Sequence, residues 1–145
     1  GSYESLDPAL LPNLYVAYRT SLSEGTEVFH NNVRARWING EKAVVDAMRK
    51  WGEIAESGRA ALLSGDAGLL GRLINENFDL RTTIYKISEG NLEMIRRSRA
   101  VGATSNFAGS GGAIVGTFSD GRMLEDLRKT MDEVGVRVIV PKILP

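Results

Sequence analysis

Apolar side chains recur every three or four positions through the middle of the chain, which is the spacing of an amphipathic helix. One such pattern covers residues 41–63, and a second covers residues 67–85. Between them, Gly65 suits a left-handed C-cap and Asp66 suits an N-cap. The two helices are therefore predicted to form an antiparallel hairpin. The side chains predicted to be buried are Val44, Met48, Trp51, Ala55 and Leu62 on the first helix and Leu70, Leu73, Ile74 and Ile84 on the second.

Shorter runs of β-branched and aromatic residues on either side of this hairpin predict strands. The first strand is Leu14–Tyr18, which follows an extended arm over residues 3–12, and a short helix is predicted over residues 29–38. The elements predicted after the hairpin are a helix at 89–101, a strand at 104–107, a glycine-rich turn at 108–112, a strand at 113–118, a helix capped by Asp120 and ended by Gly135, and a strand at 136–140.

The order of these elements predicts the fold. Strand, helices, strand, strand, helix, strand is the split β-α-β arrangement of ferredoxin-like domains. We therefore predict an α+β fold: a ferredoxin-like split β-α-β sandwich with extra helices in the first crossover. Helices should pack on one face of its antiparallel sheet. The length of 145 residues fits a single domain over residues 1–145.

Composition narrows the function without assigning it. Lys and Arg number 18 and so do Asp and Glu, so no basic surface for nucleic acid or an anionic membrane is indicated. There is no cysteine, which excludes disulfides and thiolate metal sites. No apolar run is long enough to span a bilayer, and no signal peptide is recognised. These features favour a cytoplasmic protein.

The segment of residues 102–115 carries the clearest functional signal. Its glycines, Gly109, Gly111 and Gly112, surround Ser110 and would let backbone N–H groups converge into an anion-binding nest. The segment is not a dinucleotide-binding fingerprint, because a strand follows it and the third glycine of that motif is missing. It is not a Walker A loop, because neither Lys-Ser nor Lys-Thr follows the glycines. From the spacing alone, an ordinary hairpin turn is an open alternative.

Residues 102–115 resemble the third conserved motif of the GHMP kinases, whose general form is Lys-x-Thr-Gly-(Ala/Ser)-Gly-Gly. Residues 73–81 (Leu-Ile-Asn-Glu-Asn-Phe-Asp-Leu-Arg) are similar to the helix that precedes this motif in the same family, and residues 98–103 are similar to its approach to the loop. Residues 3–15 and 30–40, the latter with a Val-Arg-Ala-Arg-Trp segment, resemble the plant-type glucuronokinases. The resemblance covers essentially the whole chain.

The resemblance implies part of an ATP-dependent sugar kinase. Members of the family phosphorylate a hydroxyl of a small molecule, and glucuronokinases act on the anomeric hydroxyl of glucuronate. In the family, the main ATP loop and the magnesium ligand lie in an N-terminal domain, whereas the C-terminal domain places the third motif beside the phosphates. This chain has no Gly-Leu-Gly-Ser-Ser-like segment, so it is identified as a C-terminal domain. We expect ATP and magnesium to act in the full-length enzyme, with no tight binding and no activity in this chain alone.

Two positions depart from the family motif. Asn106 stands where the family usually has Lys, and Ala108 stands where it usually has Thr. The loop therefore lacks a positive charge and a hydroxyl donor. The glycines are retained, so Gly109, Gly111 and Gly112 are expected to adopt backbone angles that a side chain tolerates poorly, with their N–H groups facing the phosphates.

Few other side chains indicate chemistry. Arg34 and Arg36 are candidates for binding a uronate carboxylate, since a guanidinium forms paired hydrogen bonds with a carboxylate; surface charge is an equal alternative. Asn75 lies amid an apolar stripe and either caps a loop or faces the substrate. His30, the one histidine, is more typical of a surface residue than of a catalyst. No catalytic residue is identified, and no metal-ligand spacing is found.

Two functional classes therefore stay open. The chain is either half of a sugar kinase or a stand-alone module that binds a small molecule or a protein, since ferredoxin-like folds host many functions. As a kinase half, its partners would be its own N-terminal domain and a sugar. The isolated chain would then self-associate through the face that meets that domain. Gly1 and Ser2 are typical of a cloning remnant, and an ATP loop encoded upstream would favour the kinase.

Overall fold

The computed structural model describes residues 4–19, 21 and 33–143. After a 3-10 turn at Pro8–Leu10, the strands are β1 (Leu14–Tyr18), β2 (Asn106–Phe107), β3 (Ala113–Thr117) and β4 (Arg137–Ile139). The helices are α1 (Lys42–Ser64), α2 (Ala67–Ile84), α3 (Glu89–Ala100) and α4 (Gly121–Asp132), with a shorter helical segment over residues 33–38. Within the described residues, no helix has the length and apolar character needed to cross a membrane.

The α1–α2 hairpin is confirmed, together with the residues predicted to form its turn. Gly65 ends α1 with a φ of 70°, in the left-handed region that favours glycine. The Asp66 carboxylate accepts a hydrogen bond of 2.8 Å from the N–H of Leu69 and so caps α2. Farther along, the Trp51 indole N–H donates to the carbonyl of Asn77 at 3.2 Å and ties the two helices together.

The four strands form one antiparallel sheet in the order β2-β3-β1-β4. This order, with the two central strands β1 and β3 non-consecutive along the chain, is that of the predicted ferredoxin-like sandwich. The register places Val16 opposite Val115 on one side and Ile139 on the other. The predicted fold class is therefore confirmed.

Alternation along the strands separates the two faces of the sheet. Tyr15, Ala17 and Ile114 are fully buried and face the helices. They belong to one apolar core with residues of α2, α3 and α4: Phe78, Met94, Ile95, Leu127 and Met131. The hydroxyl of Tyr15 donates to the carbonyl of Thr104 at 2.8 Å, and burial raises the pKa of Tyr15 to about 12.

The buried stripe of α1 differs from the predicted one. Met48 and Ala55 are exposed, and the buried residues of this helix are Val44, Ala47, Ile54 and Ala61. The two buried alanines have short side chains that allow α2 to approach closely, and the larger Met48 is left outside the contact. Of the short helix predicted at residues 29–38, only residues 33–38 fall among those described, and these are helical.

Strand β2 is shorter than predicted, and a side chain explains why. Where the ladder to β3 would continue, the N–H of Thr117 donates to Oγ1 of Thr104 at 2.9 Å, and the carbonyl of Thr104 accepts from the Tyr15 hydroxyl instead. The N–H of Ser105 donates to Oδ1 of Asn75 on α2 at 2.9 Å. The strand therefore begins at Asn106.

Gly116 marks the closest approach between β3 and the segment that precedes β2. A Cβ atom at this position would lie 1.7 Å from the carbonyl oxygen of Thr104 and 2.9 Å from a ring carbon of Tyr15. The obstacle is backbone, which cannot shift without breaking hydrogen bonds of the sheet. We therefore expect Gly116→Ala to lower the free energy of unfolding by about 3 kcal/mol or more, measured by chemical denaturation of the chain.

The matched control is Gly52→Ala on the exposed face of α1, where an added Cβ atom meets nothing within 4 Å. This variant should gain about 0.5–1 kcal/mol, because alanine has the higher helix propensity. Similar unfolding midpoints for the two variants would show that the contact between Gly116 and Thr104 is not as close as described.

Candidate functional site

The glycine loop, residues 108–112, connects β2 to β3. Gly111 and Gly112 have φ angles of 132° and 75°, which residues other than glycine rarely adopt. The prediction that they need glycine's backbone freedom is confirmed. For Gly109 the same prediction is wrong: its φ is not positive, and an added Cβ atom would meet nothing within 4 Å.

Asn91, in the first turn of α3, holds the glycine loop against the helix layer. Asn91 is only 1% exposed, and its Oδ1 accepts a hydrogen bond of 2.8 Å from the N–H of Gly112. Its Nδ2 donates to the hydroxyl of Ser88 at 2.9 Å. A Cβ atom at Gly111 would lie 3.0 Å from the same Nδ2, so the Asn91 amide occupies the space that the glycine leaves.

The hydrogen bond from Gly112 to Asn91 leaves fewer backbone N–H groups of the loop free to bind a ligand. The Gly112 N–H group is engaged inside the domain, so the expectation that all three glycine N–H groups face a ligand is wrong for Gly112. The N–H groups of Gly109 and Gly111 have no acceptor among the described residues. The half-buried Ser110 lies between them. The loop therefore presents two backbone donors at its tip.

Arg81, on the last turn of α2, places a positive charge at the glycine loop. Its Nη1 donates to the carbonyl oxygen of Gly109 at 3.2 Å. The guanidinium carbon lies 5.3 Å from the ring centre of Phe107 and 5.7 Å from that of Tyr85, within the range of cation–π contacts. Burial lowers the pKa of Arg81, but a guanidinium stays charged at neutral pH.

Helix α2 is fastened to the segment before the loop by paired amides and an aromatic contact. Nδ2 of Asn106 donates to Oδ1 of Asn77 at 2.9 Å, next to the hydrogen bond between Ser105 and Asn75. The rings of Phe78 and Phe107 meet edge to face with centres 5.2 Å apart. Oδ1 of Asn75 accepts the hydrogen bond from Ser105 within the fold. The predicted role of Asn75 as a substrate ligand stays a prediction.

The two candidate arginines of the 33–38 segment have different surroundings. Arg36 forms a salt bridge of 2.7 Å with Glu41 and donates to the carbonyl of Ile84 at 2.9 Å. The hydrogen bond to Glu41 raises the pKa of Arg36. Arg34 is exposed and lines a hollow of about 270 Å³ with Val33, Trp37, Met48 and Tyr85. The structure therefore leaves Arg34 open to a ligand and uses Arg36 in packing.

Tyr85 connects the hollow to the glycine loop. Its ring lines the hollow and also lies beneath the guanidinium of Arg81, which in turn contacts Gly109. Two groups of predicted site residues, the loop glycines and Arg34, thus flank one surface. His30 lies outside the described residues, and among those described no cluster of acidic or histidine side chains could hold a metal ion.

The sequence interpretation missed Asn91 and Arg81 as residues that shape this site. Asn91 gave one signal, a polar residue in the first turn of a helix whose neighbours are apolar. Arg81 was included in the segment similar to the family helix, without a role of its own. Both contacts join residues far apart along the chain, so spacing alone did not reveal them.

The Asn91 amide is the most sensitive point of the loop. We expect Asn91→Ala to lower the free energy of unfolding by about 1–3 kcal/mol, because the buried N–H of Gly112 is left without an acceptor. The backbone amide of Gly112 should also exchange its hydrogen faster. NMR-detected hydrogen exchange and chemical denaturation would measure the two effects.

Asn13→Ala is the control, since Asn13 is exposed and its side chain makes a hydrogen bond of 3.3 Å at the surface. Its unfolding free energy should change by less than about 0.5 kcal/mol. If the Gly112 amide exchanges at the same rate in Asn91→Ala as in the unchanged chain, other contacts hold the loop.

Comparisons with known proteins agree on one family. No family model matches the chain, but Glucuronokinase 1 of Arabidopsis thaliana is 41% identical over 118 residues, which are 79% of this chain and 32% of that protein. Probable glucuronokinase 2 of the same plant is 39% identical over the same length. The chain thus spans about a third of the length of the curated relatives it matches.

Solved structures resemble the chain in fold. L. major mevalonate kinase superposes with a TM-score of 0.78 at 20% identity, covering 91% of this chain and 44% of that one. Lactococcus lactis galactokinase superposes with a TM-score of 0.64 at 12% identity, covering 88% and 44%. At these identities the similarity concerns the fold alone. Together with the curated relatives, it shows that the chain is a homologue of the glucuronokinases and has the fold of GHMP kinases.

Proposed function

We propose that this chain is the C-terminal domain of an ATP-dependent sugar kinase that acts on a uronate. The observation that carries the proposal is the glycine loop, in which Gly111 and Gly112 have positive φ angles and which Asn91 holds against α3, in a homologue of glucuronokinases. Such a loop presents backbone donors at fixed positions without side chains in the way, which suits the close approach of phosphate oxygens. The proposal includes the cytoplasmic location expected from the sequence.

In this proposal the domain positions reactants and does not supply reacting groups. Phosphoryl transfer depends mainly on alignment and on neutralising the charge of the phosphates. The glycine loop would lie beside the phosphates, and the hollow lined by Arg34 and Tyr85 would contribute part of the sugar pocket. The carboxylate of a uronate would find its counter-charge in Arg34.

ATP and magnesium belong to the full-length enzyme in this proposal. The backbone donors at Gly109 and Gly111 fit a phosphate group. The resemblance implies that the magnesium ligand lies in an N-terminal domain, and the proposal assigns it there. A bound magnesium ion would neutralise phosphate charge during transfer. The isolated chain is therefore proposed to be inactive.

The first test is Gly111→Val in the full-length protein. A valine there must adopt a φ of 132° and meets the Asn91 amide, so the loop must move. We expect the turnover of glucuronate with ATP to fall by about 10- to 100-fold while the domain stays folded, with a loss of thermal stability similar to that of Asn91→Ala, because both changes disturb the hydrogen bond between Gly112 and Asn91. Ala108→Thr should be tolerated, because Ala108 is exposed.

Gly121→Val is the matched control, since an added Cβ atom at Gly121 meets nothing within 4 Å and its φ is not positive. Its turnover should stay within about twofold of the unchanged enzyme. Equal turnover in Gly111→Val and Gly121→Val would make the loop an ordinary hairpin. Steady turnover by the isolated chain would contradict the proposed division of the site between two domains.

The second test concerns the face of the sheet opposite Tyr15 and Ala17. Val16 and Val115 are only partly buried there, and Ile139 is 47% exposed. We propose that this apolar face meets the N-terminal domain, so the isolated chain should self-associate through it. Sedimentation velocity should show a mean mass that rises with concentration.

Ile139→Glu should weaken this self-association, because it places a charge in the contact. Leu63→Glu is the control: Leu63 is also 47% exposed, near the end of α1, and its replacement should leave the association unchanged. A strict monomer at all concentrations would contradict the proposed contact.

A further inference from the structure

The charge of Arg81 is not neutralised by any residue in the described part of the chain. Its guanidinium makes no ion pair with any described residue, although it lies against the body of the protein. Arg99, on α3, is a useful contrast, because its guanidinium pairs with the carboxylate of Asp79 on α2 at 2.7 Å. The charge of Arg99 is thus balanced by Asp79, whereas Arg81 has no carboxylate partner in the part of the chain that the structure describes.

The contacts of Arg81 fix its position instead of satisfying its charge. Its guanidinium lies over the rings of Phe107 and Tyr85 and donates once, to the carbonyl of Gly109. The Nε atoms of Arg81 and Arg99 are both buried with no hydrogen-bond partner among the described residues, so what sets Arg81 apart is the missing carboxylate partner. A partly desolvated cation with an unused donor is costly. A partly buried guanidinium without a carboxylate partner is a candidate for binding an anion.

The surroundings of Arg81 complete the donor set. Gly109 and Gly111 present N–H groups without an acceptor among the described residues, and Gly109 is itself in contact with Arg81. Tyr85 contacts the guanidinium of Arg81 through its ring and, together with Arg34, lines the hollow. Arg81 therefore stands between the loop and the hollow.

We propose that Arg81 and the N–H groups of Gly109 and Gly111 form an oxyanion-binding site. Arg81 supplies from α2 the positive charge that Asn106, in the strand before the loop, does not provide. The oxyanion is a phosphate of the nucleotide or the carboxylate of the sugar acid, both of which a guanidinium binds through paired hydrogen bonds. This inference rests on the proposed function for the identity of the ligand, but the site itself is tested without turnover.

The experiment uses the isotope-labelled chain, with its amide and arginine Nε–H resonances followed by NMR. It is titrated separately with inorganic pyrophosphate and with glucuronate at constant ionic strength. The resonances of Gly109, Gly111 and Arg81 should shift together and saturate. Saturation by pyrophosphate assigns the site to the nucleotide, and saturation by glucuronate alone assigns it to the sugar acid.

Substitutions then separate charge from loop support. Arg81→Gln should weaken binding by about tenfold or more, since a charge-assisted donor is lost, whereas Arg81→Lys should retain part of the affinity. Arg72→Gln is the matched control: Arg72 is exposed on the same helix, about 13 Å away along its axis, and its loss should leave the affinity within twofold.

The overturning results are equally definite. If neither anion shifts the loop resonances, or if Arg81→Gln binds as tightly as the unchanged chain, the site does not exist as proposed. Hydrogen exchange at Gly112 shows whether the loop is still docked in Arg81→Gln. If the loop is displaced in both Arg81 variants and both lose affinity equally, Arg81 acts as a loop support and the proposed charge role is wrong. None of these readouts depends on whether the full-length protein phosphorylates a uronate.

Discussion

The position of the glycine loop depends on the buried amide of Asn91. A loop of glycine, alanine and serine offers little side-chain surface for packing, so hydrophobic burial cannot orient it. The hydrogen bond from Gly112 to Asn91 replaces that packing with a directional contact at 2.8 Å. Because Asn91 lies in the first turn of α3, the loop takes its orientation from a helix that is anchored in the main core by Met94 and Ile95.

The extra helices of the first crossover have a related structural role. The α1–α2 hairpin carries its own small cores, centred on Val44 and Ile54, and these pack α2 against α1. The end of α2 then reaches the loop, where Asn77 and Phe78 contact β2 and Arg81 contacts Gly109. The loop is therefore held from two directions, by α3 through an amide and by α2 through aromatic and cationic contacts.

How much of this the sequence could predict depends on whether the cause was local. Asp120 caps α4 as predicted, with its carboxylate accepting from the N–H of Met123 at 2.9 Å, because a cap is decided within one turn. The buried side of α1 was predicted correctly at Val44 but incorrectly at Met48 and Ala55, since which side is buried depends on the neighbouring helix.

The same distinction holds for the candidate site. The glycine positions and their resemblance to a family motif were visible along the chain, and two of the three glycines have the expected backbone angles. The residues that orient the loop were not visible, because Asn91 lies 21 positions from Gly112 and Arg81 lies 28 positions from Gly109. Contacts at such separations follow from the packing of α2 and α3, which local patterns do not specify.

A loop built from backbone amides and a guanidinium also has a consequence for its dependence on acidity. Peptide N–H groups do not titrate, and an arginine stays protonated throughout the neutral range even where burial lowers its pKa. The proposed anion contacts of Gly109, Gly111 and Arg81 are thus insensitive to pH across the neutral range, whereas a histidine in the same place would titrate there. Any change in anion affinity across that range would belong to the protonation of the anion itself.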